Sequence, residues 1–188
     1  MRKTLLMIAV SALPAVGLAA PSTYTVDPAH TYPHFAINHL GFSTMHGRFN
    51  ATEGKITVDL AGKTGAVDIK IDANSVDTGF QKRDDHLRSP DFLNAAEFPA
   101  ITYKSNKVVI SDNSSATVDG TLTIMGVSKP VTLAVDHIQC GANPMNKKET
   151  CGFNATATIK RSDFGVNYAL PAVGDEMNIT LEVEAVKD

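Results

Sequence analysis

Apolar and polar residues alternate along most of this chain. In residues 55–60, Ile56, Val58 and Leu60 share one face, and polar residues lie between them. The same period of two recurs in residues 65–73, 118–126, 129–136, 153–160 and 177–185. Alternation over five or more residues predicts β-strands with one buried and one solvated face. Half-solvated strands are typical of antiparallel sheets, so we predict an all-β protein.

Residues 81–99 interrupt this alternation. Ser89, Pro90 and Asp91 have the composition of a helix start, because a hydroxyl can cap the first turn, proline fits its first position and an acidic group is favoured there. Since Pro90 cannot continue a preceding helix, we predict two short helical pieces, around 83–88 and 90–96. Together they give a short helical insertion around residues 83–96.

The number of strands predicts the architecture. About eight antiparallel strands and one helical insertion fit into residues 20–188 as a single domain. Closing the sheet removes the exposed edges that so many strands would otherwise carry, so we predict a closed barrel with a helical flap. A sandwich of two sheets is the alternative.

Residues 1–19 are predicted to be a signal peptide. Two basic residues precede an apolar run that starts at Leu5, and this run is too short to span a bilayer as a helix. Cleavage after Ala19 fits best, because cleavage one residue later would leave Pro21 at the new terminus. We therefore expect the mature chain to be exported and to have no membrane span.

Charge excludes two classes of partner. Without the two basic residues of the signal peptide, the 17 basic side chains fall to 15 against 20 acidic ones, so the mature net charge is −5. No cluster of basic residues remains. Nucleic acids and anionic membrane surfaces are bound by basic patches, so neither is an expected partner.

Cys140 and Cys151 are the two cysteines of the chain. In an oxidising compartment two cysteines most simply pair, and the polar, turn-rich segment between them suits a hairpin loop. Closing so short a loop stabilises a fold by roughly 3 kcal/mol in the chain-entropy model. A metal would need more ligands than the nearby His137 supplies, so we predict a disulfide.

Four of the six histidines crowd near the start of the mature chain and invite a metal-site interpretation. On a strand, His34 and His39 point to opposite faces, so they cannot bind the same ion. His30 and His34 share a parity but lie roughly 13 Å apart along a strand. Zinc needs three or four ligands, and no carboxylate or thiol in the stretch completes the set. We therefore predict no metal site here.

His39 allows two interpretations, because it shares a strand face with Phe35 and Ile37. A buried histidine in an apolar core needs a hydrogen-bond partner. Alternatively, His39 is a polar contact inside a mostly apolar cavity, which is the usual composition of a small-molecule pocket.

Five blocks of the chain form an ordered series of motifs. The opening stretch YTVDPAHTYPHFAINHLGFSTMHGRF carries D-x-x-H, F-x-x-x-H and G-x-F patterns at Asp27, His30, Phe35, His39, Gly47 and Phe49. Four further blocks follow: RDDHLRSPDF, FPAITYKS, GTLTIMGVSKPVTL and RSDFGV. In these motifs and in their order, the chain resembles the polyisoprenoid-binding YceI-like family. Thr31 replaces the serine usual in that family and keeps the hydroxyl.

This resemblance implies a lipocalin-like barrel in the bacterial periplasm that binds a long-chain polyisoprenoid lipid, for transport or storage, without a further cofactor. The expected cavity lining is Phe35, Ile37, His39, Phe49, Val67, Ile69, Leu122, Ile124, Ala157 and Leu181. The expected head-group or flap contacts are Arg83, His86, Leu87, Phe92 and Arg161. The three polar members of this second set either bind a head group or lock the flap to the barrel.

Two other functional classes compete with lipid binding. The string RDDHLRS holds groups capable of acid–base catalysis, but no nucleophile with a base at motif spacing and no phosphate-binding glycine loop accompany it, so we predict no enzyme. The alternative function is a periplasmic metal- or haem-linked stress or redox protein that uses the histidines from His30 to His46. The oligomeric state is left open, with a homodimer as one option.

Overall fold

Eight antiparallel barrel positions close into a ring in the computed structural model, which describes residues 20–112 and 114–188. The predicted signal peptide, residues 1–19, lies outside the described residues. The eleven strands are β1 (Ser22–Val26), β2 (Tyr32–His39), β3 (Ser43–Phe49), β4 (Thr52–Asp59), β5 (Thr64–Asp72), β6 (Val76–Asp77), β7 (Ala100–Asp112), β8 (Ser115–Ile124), β9 (Val127–Ala142), β10 (Glu149–Lys160) and β11 (Val173–Lys187).

Broken strands explain why eleven strands occupy eight positions. β1 and β2 both pair with β11, β1 through Tyr24 opposite Lys187 and β2 through Phe35 opposite Ile179, so they are two parts of one barrel strand. In the same way β3 pairs with β2 and β4 pairs with β1. The pairing of β11 with β1 and β2 closes the ring. A closed barrel is therefore confirmed, and the sandwich alternative is wrong.

The two ends of the barrel differ in what covers them. At the closed end, the turns β4–β5, β7–β8 and β9–β10 meet the start of β1 and the end of β11. A core of buried side chains fills this end, formed by Tyr24, Val26, Ile56, Val58, Ile110, Ala116, Ile138, Cys151 and Ala185. At the opposite end, which we call the flap end, the β2–β3 turn meets the segments that connect β5 to β7 and β10 to β11.

The closed end is cross-linked as predicted. Cys140 and Cys151 lie directly opposite each other on β9 and β10 and form a disulfide. Beside them, the Tyr24 hydroxyl donates to Glu149 Oε1 at 3.1 Å, and Lys187 Nζ donates to Glu149 Oε2 at 2.9 Å.

The flap contains one α-helix, α1 (Gln81–Arg88), which agrees with the first predicted helical piece. The second predicted piece, 90–96, is wrong, because residues 90–93 and 95–97 form turns, and this segment folds back onto the end of α1. The N–H groups of Leu93 and Ala95 donate to the carbonyl oxygens of Leu87 and Arg88, at 3.0 and 2.9 Å. These bonds satisfy carbonyls that the helix end would otherwise leave without partners.

Among the described residues, none belongs to a helix with the length and hydropathy needed to cross a bilayer.

Candidate functional site

An apolar cavity of about 480 Å³ occupies the barrel interior between the closed-end core and the flap. Alternation creates it, because every second side chain of each strand points inward. On β10 the inward residues are small: Ala155 and Ala157 face the interior beside the larger Phe153 and Ile159. Small inward side chains leave space that the strands themselves do not fill.

All ten residues expected to line a cavity do line it. They come from six strands and lie on its wall as follows: Phe35, Ile37 and His39 on β2, Phe49 on β3, Val67 and Ile69 on β5, Leu122 and Ile124 on β8, Ala157 on β10 and Leu181 on β11. Their contact with a ligand remains a proposal.

Two glycines give aromatic rings room against the wall. A Cβ at Gly47 would collide with the ring of Phe35, and one at Gly120 would collide with the ring of Tyr103. The G-x-F pattern of the opening stretch therefore has a steric reason at Gly47, since the inward ring of Phe35 lies across the backbone of β3.

Two buried polar groups of the cavity wall, the hydroxyls of Tyr103 and Thr52, were not predicted from the sequence. The Tyr103 hydroxyl lies 2.9 Å from the Val118 carbonyl oxygen and 3.0 Å from that of Val131, and burial raises the pKa of Tyr103 to about 12. Thr52 also faces the cavity, and among the described residues its hydroxyl is the buried side-chain oxygen without a hydrogen-bond partner. No sequence signal distinguishes Thr52 from a solvated threonine.

The flap contributes further predicted residues to the cavity wall. Leu87 and Phe92 line the cavity beneath the flap. His86 also lines it, with Nε2 2.9 Å from Asp91 Oδ2. The rings of His86, Phe92 and Tyr168 form a cluster with centroids 5.0 to 5.2 Å apart. Tyr168, from the segment before β11, was not predicted, because its position depends on contacts distant in sequence.

The two cavity arginines donate to the protein itself. Arg83 Nε donates to Thr78 Oγ1 at 2.7 Å, and its Nη2 donates to the Thr78 carbonyl oxygen at 2.8 Å. These bonds hold α1 to the chain that follows β6. Because the Nε and Nη2 groups of Arg83 already have protein acceptors, the contacts favour the locking role over head-group binding.

Arg161 locks the second segment of the flap end. It is buried and donates to the carbonyl oxygens of Gly174, Val166 and Val173 at 2.8 to 3.0 Å. Desolvation lowers the pKa of Arg161 from its ordinary value. The three bonds tie the start of β11 and the segment before it to the end of β10.

The four clustered histidines do not converge on one point. His34, His39 and His46 all border the cavity: His39 and His46 are exposed, whereas His34 is half-buried and pairs with Glu182 at 3.0 Å. His39 is therefore not a buried core histidine. His30 Nδ1 lies 2.8 Å from Asp27 Oδ2 on the barrel exterior, and this bond lowers the pKa of Asp27 and raises that of His30.

Within residues 20–112 and 114–188, Asp27, His30 and Glu184 are the group whose side chains lie close enough together to hold a metal ion. The two carboxylates come from outside the stretch His30–His46, so the set differs from the one considered in the sequence. Asp27 also accepts the Ala29 N–H at 3.0 Å, so the D-x-x-H pattern shapes the break between β1 and β2.

Comparison with known proteins gives a match to the YceI-like domain over residues 24–185. A UPF0312 protein of Pseudomonas aeruginosa is 38% identical over 191 residues, which cover 100% of this chain and 99% of that protein. A UPF0312 protein of Vibrio cholerae is 32% identical, with 100% of both chains covered.

Solved structures share the barrel. BcnA of Burkholderia cenocepacia superposes with a TM-score of 0.76 at 26% identity, over 85% of this chain and 99% of BcnA. The YCEI protein of Campylobacter jejuni gives 0.72 at 35% identity, over 81% and 90%. A polyisoprenoid binding domain from Saccharophagus degradans shares the fold, with a TM-score of 0.64 at 16% identity over 88% and 98%.

Proposed function

This chain belongs to the YceI-like family, and from that premise we propose that its barrel binds a long-chain polyisoprenoid lipid, such as an isoprenoid quinone or a polyprenyl compound. The observation that carries the proposal is the apolar cavity of about 480 Å³ in the middle of the barrel. The role is binding rather than catalysis, with transport or storage in the periplasm as its purpose. The ten lining residues would contact the hydrocarbon chain.

The energetics favour a hydrocarbon ligand. One isoprene unit has five carbons, so at about 0.8 kcal/mol per buried methylene a unit gains up to roughly 4 kcal/mol on leaving water. A chain of several units therefore cannot cross an aqueous compartment without a carrier. A cavity whose wall is formed by Phe35, Ile37, Val67 and similar side chains offers the required surroundings.

The two ends of the barrel support one mode of entry. The packed core and the disulfide block the closed end, whereas exposed His39, His46 and Tyr168 mark an opening at the flap end. A lipid would therefore enter tail first beside the flap. The polyisoprenoid binding domain of Saccharophagus degradans, which has the same fold, supports the choice of ligand class.

Lipid extraction tests this proposal. The protein purified from its native envelope without detergent should release an isoprenoid in stoichiometric amount on extraction with organic solvent, detected by mass spectrometry. The same sample should contain no stoichiometric metal or haem by elemental analysis and absorbance. Bound metal or haem with no extractable isoprenoid would overturn lipid binding and favour the histidine-based alternative.

A further inference from the structure

Large exposed apolar side chains surround the mouth of the cavity. Leu40, Phe42, Phe80 and Tyr168 are 48, 88, 55 and 47% exposed, and we call this set the mouth rim. Others lie elsewhere, among them Met145, 89% exposed in the β9–β10 turn of the closed end. Large exposed apolar groups that gather at one place usually mark an interaction site.

The mouth rim is continuous with the cavity lining. The Leu40 N–H donates to the Ala172 carbonyl oxygen at 3.1 Å, which joins the β2–β3 turn to the segment before β11. Phe80 immediately precedes α1, and the chain before it lies against β3, where a Cβ at Gly47 would touch Thr78. Tyr168 packs against His86, which lines the cavity.

The β2–β3 turn carries apolar residues that its own folding does not require. Leu40 has φ 57° and Gly41 has φ 76°, a left-handed pair in which asparagine or glycine is favoured over leucine. Phe42 follows with most of its side chain in solvent. Neither turn geometry nor packing explains a leucine and a phenylalanine here, so we look for a partner outside the chain.

Charges near the mouth suit a lipid head group despite the acidic net charge of the protein. On the flap, Asp85 pairs with Arg88 at 2.6 Å and Asp91 pairs with His86 at 2.9 Å. Lys82 is exposed on the first turn of α1, and no ion pair found between described residues includes it. The flap therefore presents a carboxylate paired with Arg88 and the exposed ammonium group of Lys82, which complements the phosphate of a phospholipid.

We propose that the mouth rim inserts into the surface layer of a zwitterionic phospholipid bilayer, so that the cavity opens directly onto membrane lipid. This inference rests on the proposed function, because a cargo that is insoluble in water must pass between bilayer and barrel. Aromatic and leucine side chains are the groups that bury at a bilayer interface. A second copy of the chain fits less well, since a stable protein interface needs about 20–30 residues a side and the rim offers four separate side chains.

Vesicle flotation of the full exported protein tests the docking surface. The probe is a vesicle of phosphatidylcholine and phosphatidylethanolamine, and the variants are Phe42→Ser and Leu40→Asn, the second of which suits the left-handed turn. We expect each variant to lower the bound fraction, Phe42→Ser by about tenfold in partition coefficient. The matched control is Met145→Ser, equally exposed at the closed end, which should float like the wild type.

A vesicle-free measurement separates this inference from the proposed function. Wild type and Phe42→Ser should take up geranylgeraniol from buffer equally, because Phe42 lies outside the cavity wall. Two results would overturn the docking surface but not the proposed function. In the first, Phe42→Ser takes up as much geranylgeraniol as the wild type and also floats as well as the wild type. In the second, Met145→Ser loses as much flotation as Phe42→Ser. Absence of uptake by the wild type would overturn the proposed function. Light scattering that shows Phe42→Ser dissociating a dimer would assign the rim to contact between copies and also overturn bilayer docking.

Discussion

The closed end and the flap end of this barrel are built from the same strands but are held together by different interactions. At the closed end, large inward side chains such as Tyr24 and Ile138 fill the interior, and a disulfide joins β9 to β10. At the flap end, Arg83 and Arg161 hold irregular segments over an open space by hydrogen bonds. Alternation alone therefore defines an inward face, and side-chain size decides whether that face becomes a core or a cavity.

This difference predicts that substitutions at the closed end change stability and leave ligand binding intact, whereas changes of the apolar cavity wall do the reverse, and loss of an arginine lock destabilises the flap end locally. Four variants test it, in order of decreasing effect on the free energy of unfolding.

Replacing both Cys140 and Cys151 by serine should have the largest effect. Loss of the cross-link restores the freedom of the loop in the unfolded chain, so the free energy of unfolding should fall by about 3 kcal/mol. Guanidinium denaturation of the exported protein measures this, with bound lipid quantified in parallel. A stable double variant, or one that has lost its lipid while still folded, would contradict the assignment of this end to stability alone.

Arg161→Lys should cost about 2 kcal/mol, because an ammonium cannot reach three carbonyl oxygens and buried acceptors lose their donors. The loss should be local to the flap end. Hydrogen exchange should accelerate in residues 162–174 and stay slow around Cys151. The control is Lys160→Ala, a change at the neighbouring exposed residue, which should leave hydrogen exchange unchanged in both regions. Uniform acceleration through the barrel would show that Arg161 supports the whole fold.

Ala157→Trp should change the free energy of unfolding of lipid-free protein by less than about 1 kcal/mol, since an indole enters open space rather than a packed core. In a filled core the same change would cost about 1–3 kcal/mol. Extracted lipid should fall sharply. Thr156→Trp, on the outward face of the same strand, is the control and should keep its lipid. A destabilised Ala157→Trp protein that retains full lipid would mean that this wall does not border the ligand.

Glu149→Gln should have the smallest effect on the free energy of unfolding, and that effect should depend on pH. Hydrogen bonds from Lys187 and Tyr24 lower the pKa of the Glu149 carboxyl from its ordinary value of 4.5. A lowered carboxyl pKa stabilises the fold above the unfolded value, and that contribution disappears as pH falls through the folded value. Wild type and variant should therefore differ slightly in denaturation at pH 7 and converge as the pH falls below 4.5 and through the lowered pKa of the folded state. A difference that persists at low pH would exclude this ionisation as its cause.

Much of the fold follows from the sequence, and the failures have physical causes. Alternation identified the strands and the inward residues, because the two-residue period holds within each strand. The breaks themselves, at Asp27 and Asn50, depend on pairing with distant strands, and each shifts the inward parity, as from Val26 on β1 to Phe35 on β2. The second helical piece failed because residues after Pro90 found acceptors at the end of α1 instead of in a new helix.

The residues of the candidate site also divide into those that the sequence predicted and those that it did not. Residues on regular strands, such as Phe35 and Leu181, were placed correctly because parity decides which way they point. Tyr168 lies in an irregular segment, and Thr52 has no composition signal, so neither could be assigned from the sequence. The roles of Arg83 and Arg161 could not be assigned from the sequence either. A guanidinium in a cavity wall binds a ligand or holds the protein together according to which hydrogen-bond acceptors lie near it, and these depend on the fold.

The closure between β11 and the broken strand β1–β2 has a kinetic consequence. Every other neighbouring pair of barrel positions is connected directly along the chain, by a turn or by one of the two flap-end segments, so those pairs close shorter loops and can form earlier. Tyr24 and Lys187, in contrast, meet across nearly the whole described chain, and a long loop must be ordered before they pair. We therefore expect an open meander sheet to precede the ring during folding. Until the last strand joins the first, this sheet has two unpaired edges, and at that stage the chain is most prone to aggregate.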